Sequence, residues 1–184
     1  MNRKLITGFA VAVGALLLGW FVASPWLAAK ALGDAAERGD VQAMERLVDF
    51  PRFRDSMKQE FNARFVEEMR ASSGGDPLAG LGALLGPALI SGAVDALVTP
   101  QAIAMMVRTG EAPEADEVTR AEPEKDQPEP KRTLGYRDLN TFAIGFQDAE
   151  RQDRAITLLM KRRGLFGWKL EAVDLPERAA PAGR

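Results

Sequence analysis

Apolar residues run without a charge over positions 5–23, are closed by Ser24-Pro25-Trp26, and follow the cations Arg3 and Lys4. As a helix rising about 1.5 Å per residue, this run is about 28 Å long, close to a hydrocarbon core of about 30 Å. The apolar core of a cleaved signal peptide is shorter, about 7–15 residues. The pattern therefore predicts an uncleaved anchor over residues 1–24. Ala29-Lys30-Ala31 has the small-x-small form of a cleavage site, so a cleaved, soluble exported protein is the alternative. Arg3 and Lys4 precede the run and Lys30 is the first cation after it, which predicts a cytoplasmic N-terminus and an exported remainder. Small residues recur four apart at Gly8/Ala12 and Ala15/Gly19/Ala23, a spacing that suits close approach of two spans, although a lone anchor is the simpler reading.

Beyond the run the period becomes helical. Residues 26–50 read as two helices parted by Gly39-Asp40, with Gly39 ending one and Asp40 capping the next; Val41, Met44, Leu47 and Val48 mark its apolar face. Pro51 suits the first position of a third helix, in which Phe53, Met57, Phe61, Phe65 and Met69 recur every four residues as a core stripe. Ser72-Ser73-Gly74-Gly75 ends that helix, Asp76-Pro77 starts another, and Thr99-Pro100 repeats the device before a short helix that stops at Gly110. Residues 78–98 carry one charge, Asp95, yet Gly86-Pro87 divides them and the bulky residues Leu89, Ile90, Val94, Leu97 and Val98 gather on one face. That one-sidedness argues against a second span.

Residues 111–132 hold eight acidic and four basic residues with four prolines, a composition that cannot bury enough surface to order itself. Strand patterning follows. Phe142, Ile144 and Phe146 alternate with Thr141, Ala143 and Gly145; residues 155–161 and 166–175 read as two further strands joined at Gly164. In the last strand strict alternation puts Trp168, Leu170, Ala172 and Asp174 on one face. The expected organisation is an anchor (1–24), a helical part of an exported domain (25–110), an acidic insertion (111–133), a β meander of the same domain (134–176) and a frayed tail (177–184). The class is α+β: an N-terminal transmembrane helix, then several helices packed on a small C-terminal antiparallel sheet.

Composition narrows the chemistry. The chain has no cysteine and no histidine, which removes disulfides, thiolate nucleophiles, serine–histidine triads and histidine-based metal sites. A net charge of −2 gives no bulk attraction to nucleic acid.

Four motifs in order, Ser24-Pro25-Trp26, Val48-Asp49-Phe50-Pro51 with Arg54, Asp95-Ala96-Leu97-Val98-Thr99-Pro100, and Gly164-Leu165-Phe166-Gly167-Trp168-Lys169-Leu170, resemble a bacterial family of membrane-anchored proteins catalogued as domain of unknown function 2939. The resemblance implies no activity. More distantly the layout is similar to the cystatin and nuclear-transport-factor type of cone, a fold that serves enzymes and binding modules alike.

No catalytic, cofactor or metal residue is assigned. From Arg151 to Lys169 there are six basic residues and one acidic, and Arg162, Arg163, Phe166 and Lys169 are the candidates for contact with a lipid surface. The expected partners are the membrane itself and an envelope protein or a small hydrophobic ligand, the latter in an apolar pocket beside the Phe/Met stripe. A small cone-fold enzyme using Asp95 or Tyr136 is the catalytic alternative. Asp49 and Arg54 form a candidate pair, with Asp49 read as structural at a helix N-terminus.

Overall fold

The computed structural model describes residues 3–71, 77–110, 131–147 and 156–175. The acidic insertion as far as residue 130, the Ser72–Asp76 turn and the expected tail lie outside the described residues, as does Ala155.

Helix α1 (Arg3–Glu37) carries the apolar run straight through Pro25, where the sequence predicts a break. Proline removes the N–H that would have bonded the carbonyl four residues back. Here that carbonyl, on Phe21, accepts instead from the Ser24 hydroxyl at 2.9 Å, and the Tyr136 hydroxyl donates to the neighbouring Val22 carbonyl at 3.1 Å. With the Ser24 hydroxyl as replacement donor, the helix continues. Its two halves meet different surroundings: up to Ala23 the described side chains are exposed or half-buried, whereas Ser24, Pro25, Ala29, Leu32, Ala35 and Ala36 are buried against the domain.

Gly39 at φ +62° ends this helix, and the Asp40 carboxylate accepts from the Ala43 N–H at 2.9 Å to cap α2 (Val41–Leu47), as the sequence predicts. Helix α3 (Phe50–Ala71) follows, with the Asp49 carboxylate accepting from the Arg52 N–H. Phe53 and Met57 are fully or nearly buried and Phe61 and Phe65 half-buried, so the stripe is core. Helix α3 runs beside the last strand, Ser56 hydrogen-bonding to Val173, and then past its end. Helix α4 (Pro77–Leu97) returns along it, tied by Lys58 to Asp95 at 2.7 Å. Thr99 caps α5 (Pro100–Thr109), which Gly110 ends at φ +74°. The described part of α4 meets α5 at 87°, and Val94, Val98, Ile103, Met106 and Val107 are buried in the core. Among the described residues α1 is the helix that is long and apolar enough by itself to cross a membrane, a test that a signal sequence also passes.

Close approach of α3 and α4 depends on Gly86. A Cβ there would lie 2.3 Å from the Phe65 ring, whereas one at Gly92 would meet nothing within 4 Å. Gly86→Ala is expected to cost about 1–2 kcal/mol by overpacking, while Gly92→Ala gains about 0.5–1 kcal/mol from helix propensity. Thermal unfolding of the two variants in detergent checks the contrast.

The sheet is an antiparallel meander in the order β1 (Lys131–Asp138), β2 (Thr141–Gln147), β3 (Thr157–Arg163), β4 (Gly167–Asp174). Strand β1 was not expected, because its residues are largely polar and exposed; it is an edge strand that pairs only with β2, Tyr136 opposite Phe142. One sheet face buries Phe142, Ile144, Phe146, Leu158, Met160, Trp168 and Leu170. Strict alternation in β4 fails at Glu171. Leu159 pairs with Ala172 and Met160 with Leu170, so Glu171 is the extra residue of a β-bulge. Beyond it Val173 and Leu175, not Ala172 and Asp174, turn into the core.

Candidate functional site

Both tight turns of the meander lie at one end of the sheet, and that end meets α1 where the apolar run finishes. The β1–β2 turn is shaped by Asp138, whose carboxylate accepts the Asn140 N–H at 2.8 Å; this bond, with help from the Thr141 hydroxyl, holds the Asp138 carboxyl below its ordinary value. Gly164, at φ +71°, allows the β3–β4 turn.

Arg162 fastens the two turns to each other and to the helix. Its Nε donates to the Leu139 carbonyl at 3.0 Å and its Nη1 to the Leu165 carbonyl at 2.8 Å, while Nη2 reaches the Tyr136 hydroxyl at 3.2 Å. The guanidinium carbon sits 3.7 Å from the centroid of the Phe21 ring and 4.2 Å from that of Trp168, stacked between them. Around it Trp26, Tyr136, Phe142 and Trp168 pack edge to face with centroids 4.8–6.3 Å apart. The Trp168 indole N–H donates to the Ser24 hydroxyl at 2.9 Å, which is the same hydroxyl that repairs the helix at Pro25. Phe21, Ser24, Tyr136, Arg162 and Trp168 thus form one joint.

Beside the turns, on the side of α3, an open polar pocket of about 590 Å³ is lined by Arg52, Asn140, Lys161, Arg163 and Glu171 among others. Its charges are largely spent on one another. Glu171, buried by the bulge, pairs with Arg163 at 2.5 Å and Arg52 at 3.4 Å. Asp49 pairs with the same two arginines at 3.6 and 3.8 Å. Lys161 donates to the Thr141 hydroxyl at 2.7 Å.

The residues singled out from sequence fall as follows. Arg162 is half-buried in the joint, Arg163 is in the carboxylate network, Lys169 is half-buried on β4, and Phe166 is exposed on the turn. Tyr136 has its hydroxyl committed to helix carbonyls and Arg162. Asp95 is 53% exposed at its side chain and paired with Lys58. Asp49 and Arg54 take different partners: Arg54 donates to the Val98 carbonyl at 2.9 Å and so caps the end of α4. Among the described residues no group of three or more acidic side chains could hold a metal ion. Sequence reasoning missed Phe21, Arg52 and Glu171, and took Ser24 only as part of a motif.

The four sequence motifs meet one another. Ser24 bonds Trp168; Val48 bridges Leu170 and the Asp49 N–H donates to the Leu170 carbonyl at 2.9 Å; Arg54 bonds Val98. Each is a joint between elements: the first two tie helices to the last strand and the third ties α3 to the end of α4.

A family model described as a protein of unknown function (DUF2939) matches residues 15–106, which takes in three of these motifs and leaves the Gly164–Leu170 segment outside. No curated protein and no solved structure matches the chain.

Proposed function

This chain belongs to the DUF2939 family, described as of unknown function, and on that premise we propose that it is a single-pass, membrane-anchored domain that acts by binding rather than by catalysis. In this reading α1 crosses the inner membrane of a bacterial envelope, and everything after it works in the periplasm as an interaction module.

One observation supports this reading above the others: the apolar helix and the domain share an unbroken α1. Cleavage at Ala31 would remove Ser24, Pro25 and Ala29 from the core, strip Trp168 of its acceptor, and leave the Tyr136 hydroxyl without the Val22 carbonyl. A signal peptide, by contrast, is dispensable to the mature fold. The binding role draws support from chemistry. Of the two carboxylates that line the pocket, Glu171 is paired with Arg52 and Arg163 and Asp138 accepts the Asn140 N–H of its own turn, and the two residues of the catalytic alternative are an ion-paired surface aspartate and a tyrosine already fully employed.

The chain has no native cysteine, so single cysteines report topology cleanly. With a membrane-impermeant maleimide on intact cells, Gln59→Cys is expected to label and Lys4→Cys to label only after lysis. The reverse order would place the domain in the cytoplasm and end this reading.

A further inference from the structure

We propose that the two turns of the meander, Leu139-Asn140 and Gly164-Leu165-Phe166, seat in the interfacial layer of the bilayer that α1 crosses, beside the point where that helix leaves it. The inference rests on the anchored reading above and adds a second, non-spanning contact with the same membrane.

Leu139 is 75% exposed, Leu165 69% and Phe166 37%, so two leucines with little protein over them and a partly covered phenylalanine crowd two adjacent turns. Polar residues are the usual occupants of such turns. Single exposed leucines are common on protein surfaces; what distinguishes these is their placement. One guanidinium holds both turn carbonyls, at 3.0 and 2.8 Å, and lies 3.7 Å from the centroid of the Phe21 ring. Phe21 lies within the charge-free run, two residues before its end. The turns are therefore level with the last turn of the apolar part of α1 and are fixed there by a rigid fork.

Strand direction supports the same level. Arg132 approaches Glu37 at 4.0 Å and Tyr136 reaches Val22, so β1 runs back along α1 towards the span and delivers Leu139 beyond it. Exposed Trp20 and Trp26 flank this level on the helix, the residue type that favours the headgroup region. Asn140, Arg163 and Lys161 border the turns on the pocket side, where polar headgroups meet them. A bilayer crossed by α1 necessarily lies against this end of the sheet, which names the occupant: the interfacial layer of lipid.

Fluorescence quenching in vesicles tests the proposal. Full-length chain carrying a bimane at Leu139→Cys, Leu165→Cys, Leu16→Cys or Gln59→Cys is reconstituted into phosphatidylcholine vesicles with and without lipids spin-labelled near the headgroup or deep in the acyl chain. Labels at 139 and 165 are expected to be quenched by the shallow spin label several times more strongly than the label at 59. The label at 16 is expected to respond to the deep one. Labels at 139 and 165 as bright as that at 59, with 16 quenched, would overturn the proposal and leave the anchor standing. No quenching at 16 would remove the anchor and this inference together.

Discussion

Trp168→Ala is expected to remove about 3–5 kcal/mol of folding stability, the range for emptying a buried large aromatic site. Trp168 is buried and touches three parts of the molecule at once: Ser24 on α1 through its N–H, Tyr136 on β1 and Phe142 on β2 through ring edges, and Arg162 on the neighbouring strand β3 through its face. Removing it leaves the Ser24 hydroxyl without its donor partner and the Arg162 guanidinium stacked on one ring only. A domain of this size has about 5–15 kcal/mol in total, so the loss takes a large share. Trp168→Phe separates the terms: it keeps a ring in the site and deletes the N–H, for a cost of about 1–2 kcal/mol from one lost hydrogen bond and a small void. Urea titration in detergent followed by near-ultraviolet circular dichroism checks both. The apolar half of α1 stays helical in detergent, and far-ultraviolet signal alone would hide the change.

Arg162→Ala has the second largest expected effect, about 2–3 kcal/mol. A stacked, partly desolvated cation contributes up to about 2 kcal/mol, and charged hydrogen bonds about 1.5–3 kcal/mol each. Against this, the Leu139 and Leu165 carbonyls sit on exposed turns and regain water when the arginine is lost. Arg162→Lys restores little, because a single ammonium on a flexible stem cannot span two turn carbonyls and a hydroxyl while lying flat between two rings. Amide hydrogen exchange locates the damage: protection is expected to fall at Asn140 and at the start of β4, with α5 unchanged. Equal loss throughout would mean that Arg162 supports the whole fold rather than the joint.

How much of this was legible in the sequence depended on range. Caps were readable because their chemistry is local: Asp40 meets Ala43 and Thr99 meets Ala102, each three residues on. The continuity of α1 through Pro25 was not, since Tyr136, whose hydroxyl also comes within 3.5 Å of the orphaned Phe21 carbonyl, stands 115 residues from it. Strand β1 escaped because an edge strand needs no buried face; of its residues only Gly135 and Tyr136 are even half-buried. The bulge at Glu171 was in fact visible: apolar residues at 168 and 170 change phase to 173 and 175, a slip that strict alternation overlooks.

The basic character of the last hairpin was legible, but its use was not. Counting charges treats Arg162 and Arg163 as equivalent surface cations. In the structure one is stacked between rings and the other is held by Glu171 and Asp49. Sequence spacing likewise suggested an Asp49–Arg54 pair, and helix geometry sends the two side chains to opposite neighbours, Arg163 and Val98. The contacts that sequence missed are joints, and a joint is defined by two segments that only the fold brings together.

The apolar helix and the folded domain are expected to remain one covalent unit. The direct measurement is the intact mass of the chain purified from the membrane fraction of cells after alkaline carbonate washing, which strips proteins that do not span the bilayer. The expected result is a membrane-retained species in which residues 5–23 are still joined to the folded domain. A soluble species whose first residue is Leu32 would show instead that the helix is cut from the domain and is no anchor.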